Sequence, residues 1–293
     1  MKDTPFSITP DPRYVYMSPH HREALGHLLY GTGEEGGFVQ ITGEVGTGKT
    51  TLIRTLLEQD MPAVDVALIL NPRLNVDEFL AAICDELRIA KPAAPASLKQ
   101  LVDVLNAHLL QTHSQGKRTV LIVDEAQHLN RDVLEQVRLL TNLETHRHKL
   151  LRIMLVGQPE LRELLAREDL RQLAQRITAR YHLDSLSSQQ TREYVVHRLQ
   201  VAGGRSNIFS TAALKDVYRI TRGTPRLINV VCDRALLGAY GQGQAQVSRA
   251  ILRQAAKEVF DKGEHRRAAA DGPALWPWLA MLATSIVLGV SLY

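Results

Sequence analysis

With 293 residues, 45% of them hydrophobic and 23% charged, the chain carries enough apolar material for a sizeable core and roughly two domains, which excludes a disordered or fibrous polypeptide. The formal net charge of +4 is too small to make nucleic acid or an anionic lipid surface an obligatory partner, and eleven histidines make that balance pH-sensitive. The two cysteines, Cys84 and Cys232, fall in apolar helical patterns without Cys-x-x-Cys spacing, so they read as small buried hydrophobes and exclude a disulfide framework.

In chain order, Met1-Lys2-Asp3-Thr4-Pro5-Phe6 has no apolar stretch of the kind a secretory signal needs, so the chain is expected to start in the cytoplasm. Gly36-Gly37 breaks the chain before Phe38-Val39-Gln40-Ile41-Thr42, a short apolar run that predicts a strand. Gly43-Glu44-Val45-Gly46-Thr47-Gly48-Lys49-Thr50 follows, then Thr51 and a helix through Leu52, Leu56 and Leu57. Residues 64–70 predict a second buried strand. Asn75 with Glu78 caps the next helix, residues 91–97 form a Pro/Ala-rich linker, and a further helix runs to about His113. Val120-Leu121-Ile122-Val123 is the most apolar strand. A helix carrying Val133, Val137 and Leu140 leads to strands at 151–156 and 177–183.

Five near-continuous apolar strands separated by helices predict an α/β fold, a five-stranded parallel sheet sandwiched by helices. After Asp184 the strand signal stops. Ser187-Ser188-Gln189-Gln190, Ser210, Pro225 and Ser248 each open a helix. The expected organisation is an α/β nucleotide-binding domain at 1–184, a helical domain at 185–260, a linker at 261–273 and one transmembrane helix at 274–293. That last stretch is almost wholly apolar and long enough for a bilayer core. Trp276 and Trp278 stand at its start, and Lys262, Arg266 and Arg267 place the preceding side in the cytoplasm.

The residues at 43–50 form a P-loop. Glycines let successive backbone N–H groups turn inward around phosphate oxygens, Lys49 neutralises the β- and γ-phosphates, and the Thr50 hydroxyl holds Mg²⁺. The helix starting there aims its N-terminal dipole at the same anion. ATP with Mg²⁺ is therefore the expected ligand. Asp124, at the tip of the most apolar strand, suits a carboxylate partner for Mg²⁺ through water, and Glu125 beside it suits a general base for the attacking water. Gln158 ends the fourth strand, where a polar side chain reaches between water and γ-phosphate. Arg226 opens a helix, where a cation opposes the dipole unless an anion is bound. Arg176 and Arg180 flank the start of the fifth strand. Arg176 is the favoured trans-acting arginine, which makes a homo-oligomer the expected state. The basic loop His146-Arg147-His148-Lys149 lacks further metal ligands and reads as surface, with partner or nucleic-acid contact as its functional alternative.

This constellation resembles an AAA+ ATPase, with Walker A at 43–50, Walker B at 120–125, sensor 1 at Gln158, where Asn or Thr is usual, and sensor 2 at Arg226 on a C-terminal helical lid. Pro5-Phe6-Ser7-Ile8-Thr9-Pro10-Asp11-Pro12-Arg13, His21-Arg22-Glu23-Ala24-Leu25, Leu140-Thr141-Asn142-Leu143-Glu144 and Val156-Gly157-Gln158-Pro159-Glu160-Leu161 resemble the ExeA/GspA family more narrowly, over residues 4–260. The resemblance implies a bacterial inner-membrane, single-pass ATPase with its ATPase domain in the cytoplasm. It would drive or switch assembly of a secretion complex through an inner-membrane partner protein. Family members often bind peptidoglycan through a periplasmic part that this chain does not contain, so that property does not carry over. Related ATPases serve pilus or exopolysaccharide systems. The rival reading is a DNA-associated AAA+ regulator of the transposition type, against which the expected membrane span argues.

Overall fold

The computed structural model describes residues 3–9, 11–34, 36–92, 96–145 and 148–270. Helix α1 (Pro19–Thr32) precedes β1 (Phe38–Gly43), and the P-loop leads into α2 (Lys49–Leu57). Then come β2 (Val64–Ile69), α3 (Val76–Glu86), α4 (Leu98–Ser114), β3 (Arg118–Val123), α5 (Arg131–Leu140) and β4 (Leu151–Gly157). Two short helices, α6 (Glu160–Leu165) and α7 (Arg171–Ala174), lead to β5 (Ile177–Leu183). The strands form one sheet in the order β2-β3-β4-β1-β5, with every pairing parallel. Because parallel neighbours need crossovers, their connections lie over the two faces and bury both.

Strand alternation sorts the core. Val39 and Ile41 of β1 and Val120 and Ile122 of β3 pack with Leu52, Ile53 and Leu56 of α2. Phe38, Leu121, Val123, Ile153 and Leu155 face the other way, against Phe79, Leu105, Leu109, Val133 and Val137. Both faces are therefore dry, and polar residues are confined largely to strand tips. All five C-terminal tips, including Gly43, Val123 and Gly157, lie along one edge of the sheet, where an open α/β sheet presents its site.

The second core belongs to α8 (Ser188–Val201), α9 (Thr211–Thr221), α10 (Pro225–Gly241) and α11 (Arg249–Ala270). Val195, Leu199, Val217, Ile228, Val231 and Leu252 fill it, and Phe6 from the far end of the chain joins them at 1% exposure. Arg198 Nε donates to the Pro5 carbonyl at 2.5 Å, while Arg198 Nη2 and Asn229 Nδ2 donate to the Ser7 carbonyl at 3.3 and 3.4 Å. The N-terminal segment thus packs into the helical domain although it precedes the α/β domain in sequence. Cys84 and Cys232 are both free and buried.

The transmembrane part of the expected fold class is corrected. Among the described residues no helix is long and apolar enough to cross a membrane. The longest, α11, buries Ile251, Leu252, Ala255 and Ala256 against the lid and carries Arg253, Lys257, Glu258 and Asp261 between and beyond them. It has the pattern of an amphipathic helix, not the run of about 20 apolar residues that a bilayer demands. The segment on which the span was expected, 274–293, lies outside the described residues. The fold is a five-stranded parallel α/β sandwich with a C-terminal helical domain. Helix α11 also continues to Ala270, through most of the stretch expected as a linker.

Candidate nucleotide site

Between the tip of β1 and the start of α2, Gly46 and Gly48 adopt φ of 80° and 106°, a left-handed backbone that glycine allows at little cost. A Cβ on Gly46 would stand 2.6 Å from Arg226 Cβ, so the loop and the start of α10 touch backbone to side chain. They are also hydrogen-bonded, since Arg226 N–H donates to the Gly46 carbonyl at 3.2 Å. Lys49, 6% exposed, turns its ammonium onto the Gly43 and Glu44 carbonyls at 2.7 and 3.0 Å. Burial lowers its pKa, and the nearby Glu125 and Asp124 carboxylates oppose that shift. Its only hydrogen-bond partners among the described residues are neutral carbonyls, so an anion in the loop would take over the ammonium without breaking an ion pair.

Opposite Lys49, Thr50 Oγ1 donates to Asp124 Oδ2 at 2.6 Å. Asp124 is 3% exposed. Burial raises its pKa, against the Thr50 hydroxyl and the Glu125 N–H, which donates to Oδ1 at 2.9 Å. Glu125 sits at φ 51°, a costly conformation for a non-glycine residue and one that turns its side chain into the cleft. Its Oε2 accepts from Gln127 Nε2 at 2.5 Å and from Gln158 Nε2 at 3.1 Å. Burial acts to raise the Glu125 pKa, but the two amides and Lys49 outweigh it and hold the carboxyl below the usual glutamate value. Gln127 also accepts the Gln158 N–H at 3.0 Å through Oε1, and a Cβ on Gly157 would approach that oxygen to 2.7 Å. The tips of β3 and β4 are therefore tied through one glutamine.

The cleft has a volume of about 290 Å³. Its walls are the P-loop, the start of α10 with Pro225, Arg226 and Asn229, and the N-terminal segment with Ser7, Ile8, Thr9, Tyr14 and Tyr16. Arg226 is exposed, and its guanidinium has no hydrogen-bond or ion-pair partner among the described residues. Tyr14 is buried at 4%, stacks under Arg198 at 4.9 Å, and has a hydroxyl with no partner among the described residues. His21 buttresses the loop from behind. Its Nε2 lies 3.0 Å from the Thr47 carbonyl and its Nδ1 2.6 Å from Ser18 Oγ. A carbonyl only accepts, so Nε2 carries the proton, and burial lowers the pKa of the ring, which favours the neutral form in which Nδ1 accepts from the serine.

These residues fit a nucleotide and a hard divalent cation. The left-handed glycines leave no side chain between the loop backbone and a ligand, the Lys49 ammonium has neutral carbonyls but no carboxylate in hydrogen-bond contact, and the Tyr14 hydroxyl is unpaired among the described residues, all of which a phosphate or nucleoside would suit. No group of three or more His, Cys, Asp or Glu that could hold a metal occurs among the described residues. A cation here would rely on Thr50, Asp124, phosphate and water, the sparse protein coordination that suits Mg²⁺.

The structure thus gathers Lys49, Thr50, Asp124, Glu125, Gln158 and Arg226 around one cleft. Arg176 is elsewhere. It precedes β5 at the opposite edge of the sheet, roughly 20 Å of strand from the P-loop edge, and donates to Thr141 Oγ1 at 2.5 Å. Arg180 lies along β5 and donates to the Ala174 carbonyl. In the basic loop, His146 and Arg147 lie outside the described residues. Lys149 pairs with Glu144, and the His148 ring lies 5.5 Å from that of His113. Gln127, Tyr14 and Arg198 escaped sequence reasoning, because each gains its role only when a distant segment folds against it, and His21 stood in a family motif with no role assigned.

Residues 32–165 match the AAA domain family. Over 259 residues, 88% of this chain, the sequence is 53% identical to the general secretion pathway protein A of Aeromonas hydrophila. The match covers 47% of that relative, so the chain spans about half its length. Among solved structures, Cdc6p from Pyrobaculum aerophilum superposes with a TM-score of 0.68 at 20% identity, covering 88% of this chain and 71% of that one. Drosophila ORC bound to DNA gives 0.63 at 23% identity, covering 88% and 66%. The Thermotoga maritima RuvB Holliday junction branch migration motor gives 0.56 at 19% identity, covering 84% and 73%. At such identities the likeness is one of fold. Sheet order, cleft and matched domain make this molecule an AAA+ P-loop ATPase, a nucleotide-binding class. Within that class its sequence is similar to the ExeA/GspA-like proteins, through the general secretion pathway protein A of Aeromonas hydrophila.

Proposed function

We propose that the cleft binds ATP with Mg²⁺ and hydrolyses it, and that the resulting movement of the lid drives or switches assembly of a secretion complex. The observation that carries the hydrolytic reading is the Glu125 carboxylate, presented to the cleft by two amides beside the Thr50–Asp124 pair. A site that only bound phosphate would need Lys49 and the loop, not an ionised carboxylate facing the place where water attacks.

The P-loop N–H groups and the Lys49 ammonium bind the phosphates. The Thr50 hydroxyl and Asp124 would hold Mg²⁺, which neutralises developing phosphate charge when bound. Glu125 accepts a proton from water as the water oxygen bonds to the γ-phosphorus. The bond from that phosphorus to the β-bridging oxygen breaks, leaving ADP and inorganic phosphate. Gln158 fixes the carboxylate and can orient the water. Arg226, on the start of α10, reports the γ-phosphate to the lid, because the same residue already bonds the P-loop through its N–H. Arg176 is too far from its own P-loop to act there, so its role at a nucleotide is on a second copy, which makes the working form a homo-oligomer. The secretion assignment rests on the relative that shares 53% identity, and the partner is accordingly a secretion or envelope-assembly protein.

Phosphate release by the purified chain tests the reading. Lys49→Ala should lose nucleotide binding and turnover together. Glu125→Gln should retain ATP while turnover falls about 10²–10⁴-fold, the usual worth of a general base. Wild-type protein that binds ATP but releases no phosphate at any concentration would sink the proposal.

A further inference from the structure

Behind the nucleotide cleft, on the face of the sheet opposite α2, lies a second cavity of about 400 Å³ between β1, β5, α6 and α7. Its floor breaks the rule that governs the rest of that face. There β3 and β4 present Leu121, Val123, Ile153 and Leu155, whereas β1 follows Phe38 with Gln40 and Thr42. These two polar side chains are 3% and 2% exposed, in a strand with neighbours on both sides. The Gln40 Nε2 has no hydrogen-bond partner among the described residues. A buried, unpaired amide in a central strand is costly, and departures of this kind from local consistency mark functional positions.

The rim supplies the sign of the missing ligand. The Arg162 guanidinium on α6 has no hydrogen-bond or ion-pair partner among the described residues, and the Arg180 guanidinium on β5 is bonded, among those residues, only to the neutral Ala174 carbonyl. The His182 ring closes the wall with Nδ1 3.0 Å from the Thr42 hydroxyl. Among the described residues no Asp or Glu lines the cavity. Exposed arginines alone are ordinary, but two without carboxylate partners over a buried unpaired amide form a set of donors converging on one space. Guanidinium forks match phosphate oxygens in pairs.

We infer that this cavity is a second oxyanion site, which takes a phosphate group on Arg162 and Arg180 with the Gln40 amide beneath. The phosphate is either free in solution or the terminal group of a nucleotide held by a second copy. The first source needs nothing from the hydrolytic reading, and the second rests on it.

The full-length chain carrying Lys49→Ala, which weakens the P-loop as a competitor, is titrated with sodium phosphate against sodium chloride at constant ionic strength while its melting temperature is followed. Phosphate should raise the melting temperature saturably, and adding Arg162→Ala with Arg180→Ala should weaken that response about tenfold or more. Gln40→Leu should melt higher than its parent without phosphate, because the unpaired amide is gone, yet respond less to phosphate. No phosphate response, or one that the arginine changes leave intact, overturns the site. A Gln40→Leu variant with the full response removes the amide from it. A second arm separates the sources. With Lys49 intact, turnover per site should rise with protein concentration in wild type and rise less in the double arginine variant, which keeps Arg176, if a second copy supplies the phosphate. The two dependences should coincide if the phosphate is free.

Discussion

The two walls of the nucleotide cleft are built from different physics. The α/β wall is local. Lys49 is satisfied by carbonyls five and six residues upstream, and Asp124, Glu125, Gln127 and Gln158 are fixed on the tips of adjacent strands by hydrogen bonds between neighbours. The other wall joins opposite ends of the chain. Arg198 holds the Pro5 and Ser7 carbonyls across separations of 193 and 191 residues, and Phe6 is embedded among α8, α9 and α10. A local wall keeps its shape when its neighbour moves. A wall held by a few long-range contacts is a joint, and the two touch where Arg226 meets Gly46. Gripping the phosphates and enclosing the nucleoside should therefore be separately breakable.

Phe6→Ala is the strongest way to break the distant wall alone. It empties a fully buried aromatic site, at a cost of about 3–5 kcal/mol. The melting temperature should fall and nucleotide affinity should weaken, while the P-loop keeps its structure. Denaturation with and without nucleotide measures both, and an affinity that matches wild type would separate the N-terminal segment from the cleft. Gly46→Ala breaks the junction instead. The new Cβ must occupy φ near 80° and meet Arg226 Cβ at 2.6 Å. Backbone strain of about 1–3 kcal/mol should appear as lower stability, and displacement of α10 should raise the KM for ATP. Steady-state kinetics showing an unchanged KM would mean that the lid does not bear on the loop.

The same division explains what was legible in the sequence. Lys49, Thr50, Asp124 and Glu125 were readable because their chemistry demands fixed spacing on one strand–loop–helix unit or one strand tip. The parallel sheet was readable because strands covered on both faces are apolar throughout. Gln127 was not, since its meaning depends on Glu125 and Gln158 folding around it. The roles of Phe6, quoted only as part of a family motif, and of Arg198 were not, because each is set by the other end of the chain. Residues 261–270 looked like a linker by charge, yet they contain no proline, and their Ala, Arg, Glu and Lys favour helix, so α11 continues through them.

Gln127 sharpens the comparison within the local wall. Gln127→Leu removes one of the two amides that keep the Glu125 pKa below the usual value, so that carboxyl should titrate higher. The acid limb of the kcat profile should move to higher pH, and turnover at neutral pH should fall about tenfold, the scale of one hydrogen bond worth about 1.4 kcal/mol. ATP affinity should barely change, because Gln127 is not among the residues lining the cleft. A fall in kcat with an unmoved acid limb would make Gln127 a packing residue only.

The smallest effect concerns His21, which supports the local wall from α1. Burial is the main cause of its lowered pKa, against the bond to the Thr47 carbonyl, so the folded ring takes up its proton at lower pH than the unfolded chain, whose ordinary value is 6.5. Between those two values the unfolded state binds more protons. Stability from this group is therefore complete above pH 6.5 and is lost as pH falls from there toward the folded pKa, with a limiting slope of about 1.4 kcal/mol per pH unit for one proton. Protonation would also put a second donor against Ser18 Oγ, which already accepts the His21 N–H at 3.2 Å, and would remove the acceptor that the serine hydroxyl uses. Gln in place of His offers an amide N–H to Thr47 and cannot titrate. His21→Gln should leave nucleotide affinity at pH 7.5 within about twofold, a difference of about 0.4 kcal/mol. It should flatten the decline of the melting temperature below pH 6.5 by one proton's share. A melting curve whose acid slope matches wild type would mean that the His21 ring does not carry the pH dependence, and that the P-loop is held at Thr47 by the loop's own backbone.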